Sequence, residues 1–164
     1  MNDLTIGQAQ RLTAPAPFAL LSARKEDGGD NLMAVSWWTY LSNRPPMLGV
    51  CLSKKGLSGS LIKRSGVFTL SVVGDSLKDA ALQCGRCSGR DHDKAAEFGI
   101  PLEPAAAIEA SLVSGSRVAY ECRLTGSVEA GDHVFYLAEI LLCHGDAEIP
   151  QLFAWDGYAR LDTI

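Results

Sequence analysis

Two long strand-like segments face each other across a short joint, and this pairing constrains the fold more than any other feature. Arg117 to Val128 alternates, with Val118, Tyr120, Cys122 and Leu124 on one face and Ala119, Glu121, Arg123 and Thr125 on the other. In His133 to His144 the even positions Val134, Tyr136, Ala138, Ile140 and Leu142 form an apolar face, while the odd ones mix His133 and Glu139 with Phe135, Leu137 and Leu141. A period of two marks a strand with one buried face. The joint Glu129-Ala130-Gly131-Asp132 supplies a glycine at the reversal, so the two segments are expected to form a hairpin.

Further strands are expected at Phe18–Ala23, Met33–Leu41, Met47–Ser53 and Phe68–Val73, with a short last one near Tyr158–Asp162. Pro45-Pro46 separates the second of these from the third, because proline cannot donate within a central strand. Short helices are expected at Ser58–Arg64, with Gly66 past its end, and at Ser76–Gln83 and His92–Phe98. Many strands with few helices indicate a mainly β fold, a small β-barrel. No repeat or composition break divides the chain, so residues 1–164 are expected to form one domain, with 1–12 as a flexible N-terminal segment.

Charge and composition exclude several function classes. The 164 residues carry 15 Lys and Arg against 19 Asp and Glu, a net −4 that argues against a general nucleic-acid coat. With 47% hydrophobic residues, the chain can build a core without metal or disulfide staples. No run approaches the ~20 apolar residues of a membrane helix. The N-terminal stretch lacks a basic start and an apolar core, so a cytoplasmic location is expected. Cys51, Cys122 and Cys143 read as small core residues on strands. Cys84-Gly85-Arg86-Cys87 reads either as incidental thiols, or as a redox dithiol or half of a zinc site with His92.

Rossmann, P-loop, metalloprotease and serine-hydrolase motifs are absent. Two local patterns remain. Between Cys51 and Phe68 lie Lys54, Lys55, Lys63 and Arg64 with no acid, interleaved with Ser53, Ser58, Ser60 and Ser65. A strand ending at Ser53 and a helix starting near Ser58 would aim free amides at one point, suited to a phosphate; a solvated basic surface is the competing reading. The second pattern is Asn31-Leu32-Met33-Ala34-Val35-Ser36-Trp37-Trp38. It reads either as a barrel strand with packed tryptophans or as a backbone ledge for a planar heterocycle.

Several segments, taken in order, resemble the flavin reductase-like, FMN-binding split-barrel family, and its flavoredoxin-like branch in particular. They are Asn31 to Trp37, Asn43-Arg44-Pro45-Pro46, Cys51-Leu52-Ser53, Gly66 to Ser71, Cys84-Gly85 with Ser88 to Lys94, Glu121-Cys122, and Gly131-Asp132-His133-Val134-Phe135. The resemblance implies a homodimer of six-stranded Greek-key split barrels binding FMN near the subunit interface. It puts the flavin ring against Asn31, Leu32, Met33, Ala34, Val35 and Ser36, and the phosphate near Ser53, Lys55 and Ser58. It brings Arg90 and Lys94 to the flavin or leaves them as loop anchors. It sets His133 beside the nicotinamide or the exposed flavin edge, with a satisfied hairpin residue as the alternative. No metal ligands are implied.

The implied activity is hydride transfer from NADH or NADPH to flavin, with a monooxygenase or ferredoxin-type protein as a further electron partner. A flavoredoxin-type electron carrier and a non-enzymatic flavin-binding module are the alternatives. Three departures bear on the nicotinamide pocket. Ala34 stands where many relatives carry Thr, and Ala138 where the family often has Gly. The closing Phe153-Ala154-Trp155-Asp156-Gly157-Tyr158 lacks the usual Arg before its Gly.

Overall fold

A computed structural model describes residues 2–164. Helix α1 (Ile6–Leu12) precedes strands β1 (Ala16–Pro17), β2 (Ala19–Arg24), β3 (Asp30–Val35), β4 (Trp38–Asn43) and β5 (Pro46–Ser53). Helix α2 (Leu57–Ser65) leads to β6 (Val67–Val73), followed by the short helices α3 (Lys78–Cys84) and α4 (Lys94–Phe98). Strands β7 (Leu102–Pro104) and β8 (Ser111–Val113) form a small ribbon. The long hairpin is β9 (Ser116–Ala130) and β10 (His133–Gly145), and β11 (Phe153–Trp155) and β12 (Arg160–Asp162) end the chain. The hairpin forms as the alternation requires, with His133 opposite Ala130 and Gly131 at φ 60° in the turn.

The main sheet runs β3-β2-β6-β9-β10-β5-β4, antiparallel throughout. Its two edge strands, β3 and β4, are consecutive in the chain and separated only by Ser36 and Trp37. One long bent strand therefore pairs with β2 through its first half and with β5 through its second, which curls the sheet into a split barrel. Counted as one, β3 and β4 give the six strands expected. The expected unbroken strand Met33–Leu41 is interrupted at the bend, because its two halves take different partners. At the bend the Trp37 carbonyl accepts from the Cys51 N–H at 2.8 Å.

Two cores flank the sheet. Leu21, Val50, Phe68, Leu70, Cys122 and Tyr136 fill the barrel interior. Outside it, Phe18, Leu20, Leu32, Val73, Leu152 and Leu161 pack with α3, α4 and the C-terminal strands. Strand β2 is thus buried on both faces, which is why Phe18 to Leu21 is a continuous apolar run. Each such side chain, fully buried, contributes roughly 1.5–3 kcal/mol. Past Ile140 the apolar face of β10 ends, because a register shift follows that residue; Leu142 and Cys143 are exposed. The core reading holds for Cys122, is half met by Cys51, and is corrected for Cys143.

Apart from Met1, which lies outside the described residues, the N-terminal segment contains α1, opened by a reciprocal capping box between Thr5 and Gln8. None of its residues is buried. Helix α2 starts at Leu57 behind Gly56 and ends at Gly66, whose φ of 73° is the left-handed conformation of a helix stop. A 3-10 turn at Asp75–Leu77 opens the expected Ser76–Gln83 helix, and α4 starts at Lys94 because Asp93 caps it by accepting from the Ala96 N–H at 3.3 Å.

Candidate functional site

Two adjoining clefts run along the bent strand. The first, about 390 Å³, lies at the bend and is lined by Met33 to Trp37, Cys51, Ser53, His133 and Tyr158, with Gln10, Thr13 and Ala14 of the N-terminal segment as part of its cover. The second, about 470 Å³, lies between β3, the start of α2 and the segment 84–94. Met33, Ala34, Ser53 and Gly85 border both, so the two form one continuous groove. Every residue that the resemblance assigns to the site borders it. Asn31, Leu32, Ser58, Lys55, Arg90 and Lys94 line the second cleft, and Val35, Ser36 and His133 line the first.

The second cleft is cationic. Lys55, Arg86, Arg90 and Lys94 line it and no Asp or Glu does. Of the basic residues in the acid-free stretch seen in the sequence, only Lys55 reaches this wall. Lys54 pairs with Glu129 at 2.9 Å, Arg64 pairs with Glu26, and Lys63 sits 5.9 Å from the Tyr136 ring centroid. Lys55 is exposed at the end of β5, and the Arg90 guanidinium donates to its carbonyl at 3.3 Å. Lys94 is buried and donates to the Cys84 carbonyl at 2.8 Å. Arg86 was not singled out in the sequence, where Cys84-Gly85-Arg86-Cys87 draws notice to its thiols.

Asn31 is buried at the floor of this cleft. Its Nδ2 donates to Ser58 Oγ at 2.9 Å, while Oδ1 has no hydrogen-bond partner. Gly89 packs so closely here that a Cβ on it would overlap Asn31 Oδ1.

In the first cleft the Trp37 and His133 rings lie 4.8 Å apart between centroids. His133 Nδ1 hydrogen-bonds the Asp132 carboxylate at 2.7 Å, and that bond holds the Asp132 carboxyl below its ordinary range. Tyr158 reaches in from the C-terminal segment, and its hydroxyl meets Ser36. Burial pushes the Tyr158 phenol up, against the two Ser36 bonds that favour its ionised form. Neither Trp37 nor Tyr158 was marked as a site residue in the sequence.

Cys84 and Cys87 are both free thiols. Burial pushes the Cys84 thiol up to about 11, with Lys94 acting more weakly in the opposite direction. His92 is engaged by Glu97 at 2.7 Å rather than aimed at Cys84. Among the described residues, no group of three or more His, Cys, Asp or Glu side chains is placed to hold a metal ion.

The model of the flavin reductase like domain matches residues 11–162. The chain belongs to that family. StyB of Pseudomonas fluorescens, an NADH-dependent flavin reductase, is 31% identical over 140 residues, which are 82% of this chain and 76% of StyB. The flavoredoxin of Desulfovibrio vulgaris superimposes with a TM-score of 0.86 at 22% identity, covering 99% of this chain and 93% of its own. The NADH:FAD oxidoreductase SgcE6 of Streptomyces globisporus gives 0.86 at 18% identity, covering 100% and 98%. The split-barrel fold expected from the sequence is the fold of this family. No helix among the described residues is long and apolar enough to cross a membrane.

Proposed function

We propose that the chain binds FMN in the continuous groove and is an NAD(P)H-dependent flavin reductase. One observation carries the reading: a cleft lined by Lys55, Arg86, Arg90 and Lys94 without an acid opens directly into a less charged cleft beside Trp37 and Tyr158. A planar ring with a phosphate tail has this distribution of charge. The donor set fits such a cofactor, because the buried Asn31 Oδ1 has no partner in the protein and a flavin carries N–H and hydroxyl donors.

In this reading Lys55 and Arg90, with Ser53 and Ser58, hold the phosphate. Asn31, Leu32, Met33, Ala34, Val35 and Ser36 form the ledge for the ring. When bound, the flavin supplies hydride acceptance and onward electron transfer. The chain's residues supply position and charge, since no general acid or base is required of a side chain. His133 orients a nicotinamide at the first cleft, held by Asp132. The exposed Trp37, Tyr40 and Leu41, at and along the edge strand β4, support pairing with a second copy.

A second reading, a flavoredoxin-type carrier that exchanges electrons with a ferredoxin-type protein, is favoured by the Trp37 ring lying against His133, which narrows access for a nicotinamide. Stopped-flow mixing of the FMN-loaded protein with NADH or NADPH decides between the two. Bleaching of the flavin band by either nucleotide supports the reductase. Bleaching by reduced ferredoxin alone overturns it. Parallel titrations with FMN and FAD fix which flavin is preferred, and one reduced flavin offered to a monooxygenase component tests that partner class.

A further inference from the structure

The sulfur of Cys87 stands in a cleft whose charge selects what can reach it. Cys87 is a half-buried free thiol just past α3, and its Sγ donates to the Gln83 carbonyl at 3.7 Å. It lines the second cleft together with Lys55, Arg86, Arg90 and Lys94, and no Asp or Glu lines that cleft. Cys84 borders the same space, but it is 1% exposed and burial pushes its thiol up to about 11. Since the thiolate is the nucleophile, Cys87 is the sulfur free to react there.

The same cleft is built for a ligand that brings donors as well as negative charge. Asn31 is 4% exposed; its Nδ2 donates to Ser58 Oγ, while its buried Oδ1 has no hydrogen-bond partner. A peptide-like molecule with carboxylates and N–H groups meets both demands. The volume of about 470 Å³ is in the range that takes a small ligand.

Resting on the flavin reading above for its consequence, we propose that Cys87 is a reversible modification site, where a small disulfide bearing carboxylates, of the glutathione class, closes the phosphate end of the groove. The Cys87 thiol gives its proton to solvent, and the thiolate attacks one sulfur of the disulfide. The S–S bond of the reagent breaks, a new S–S bond joins Cys87 to one half, and the other half leaves as a thiolate. The Cys87 sulfur is oxidised and the departing sulfur is reduced, so no further oxidant is needed. The attached half carries two carboxylates against one ammonium. It puts bulk and net negative charge where Lys55 and Arg90 would hold the phosphate of the cofactor. Flavin and modification therefore exclude each other, and excess thiol reverses the block.

The test treats the full chain, free of flavin, with oxidised glutathione. It reads intact mass, the labelled peptide, and FMN affinity by fluorescence titration. One glutathione half per chain is expected, on Cys87, with FMN affinity lowered about tenfold or more and restored by reduced glutathione. Prior loading with FMN is expected to slow the reaction by a similar factor. Added salt is expected to slow oxidised glutathione and to leave the uncharged hydroxyethyl disulfide unaffected, because only the first is drawn by the cationic wall. In Cys87→Ser, FMN affinity is expected to be the same before and after treatment; if that variant does not fold, Cys87→Ala is read by the same criteria. Labelling of Cys143 in place of Cys87 overturns the proposal, and so does a modified protein that binds FMN at full strength. Labelling that FMN does not slow, or equal salt responses for the two disulfides, overturns it too. Untreated wild-type protein that binds no flavin overturns the flavin reading by itself, while the labelled peptide and the salt response still decide whether Cys87 is the site.

Discussion

Tyr158 Oη accepts a hydrogen bond from the Ser36 N–H at 2.7 Å and another from the Ser36 hydroxyl at 2.9 Å, across 122 positions of sequence. The contact ties the C-terminal segment to the bend that opens the barrel. The backbone is bent to deliver it, since Asp156, Gly157 and Tyr158 have φ values of 51°, 62° and 73°. For a tyrosine this left-handed conformation is an outlier, of a kind that persists only where surrounding structure holds it.

Tyr158→Phe keeps the edge contact with Phe18 and removes both acceptor interactions. Leaving the Ser36 N–H without a partner costs about 1–3 kcal/mol, visible as a lower Tm. The variant is also expected to bind FMN less tightly, because the bend lines the first cleft. The raised phenol adds a pH signature. A raised acid stays neutral in the folded protein while the unfolded chain ionises near pH 10, so its stabilisation is full below that pH and is lost above it. Tyr158→Phe should therefore show a shallower fall in Tm above about pH 10. Identical alkaline melting curves would show that the phenol contributes nothing there.

Gly89→Ala tests the floor of the second cleft. The added methyl overlaps Asn31 Oδ1, so Asn31 must move and its bond to Ser58 must lengthen or break. The expected result is a loss of FMN affinity of tenfold or more, the size of about 1.4 kcal/mol, with the fold intact by circular dichroism. Wild-type affinity in this variant would show that Asn31 is not part of the binding surface.

The phosphate end can be separated from the ring by comparing two ligands. Lys55→Glu combined with Ser53→Ala places an acid in a cleft that has none and removes a hydroxyl. FMN binding is expected to fall well over tenfold, while riboflavin, which has no phosphate, changes little. Calorimetric titration of both ligands checks this, and equal losses for the two would remove Lys55 from the phosphate site.

Much of this was legible in the sequence because local periodicity carries it. The alternation of Arg117–Val128 specifies β9, and the spacing from Ser53 to Ser58 marks the strand-to-helix turn beside the cleft. What was not legible depends on partners far along the chain. The apolar run from Leu32 to Val35 passes through Ser36 into Trp37 and Trp38 with no Gly or Pro between, so nothing local announces that the strand changes neighbours there. The Tyr158 hydroxyl reaches Ser36 only after the C-terminal strands have docked. That Lys94 is buried follows only once α4 packs it beside Cys84. The charges of Lys54 and Arg64 are spent on Glu129 and Glu26, which a local count of basic residues does not reveal.

The two cysteines of Cys84-Gly85-Arg86-Cys87 are predicted to behave differently. Cys84 is buried, with its thiol pushed up to about 11, and Cys87 is half-buried. Since the thiolate is the reactive form, a disulfide reagent at pH 8 should modify Cys87 first, the exposed Cys143, whose thiol burial also pushes up, more slowly, and Cys84 only on unfolding. Rapid loss of all thiols in the folded protein would contradict this. Cys84→Ser is expected to leave electron transfer through the flavin unchanged.

Glu121 controls a pH limit remote from the groove. It is fully buried and accepts from the N–H groups of Ala106 at 2.9 Å and Ala107 at 2.6 Å, with His144 Nε2 at 2.7 Å. Burial alone would raise its carboxyl, but these partners outweigh it and hold the carboxyl below the ordinary range. A lowered acid stabilises the fold above the unfolded value near 4.3, and that contribution is lost as pH falls through the folded value. Glu121→Gln presents an amide to two N–H donors and removes the charge, at an expected cost of about 2–4 kcal/mol at pH 7. His144→Ala should cost about 1 kcal/mol or less, because that ring is half-exposed. Urea unfolding at pH 7 and below pH 4 checks both, with the gap between wild type and Glu121→Gln narrowing at the lower pH. None of these residues lines either cleft, so FMN affinity at pH 7 should be retained in the folded variants. A gap that stays constant with pH would mean that the carboxylate charge is not what pins the 105–110 loop to β9.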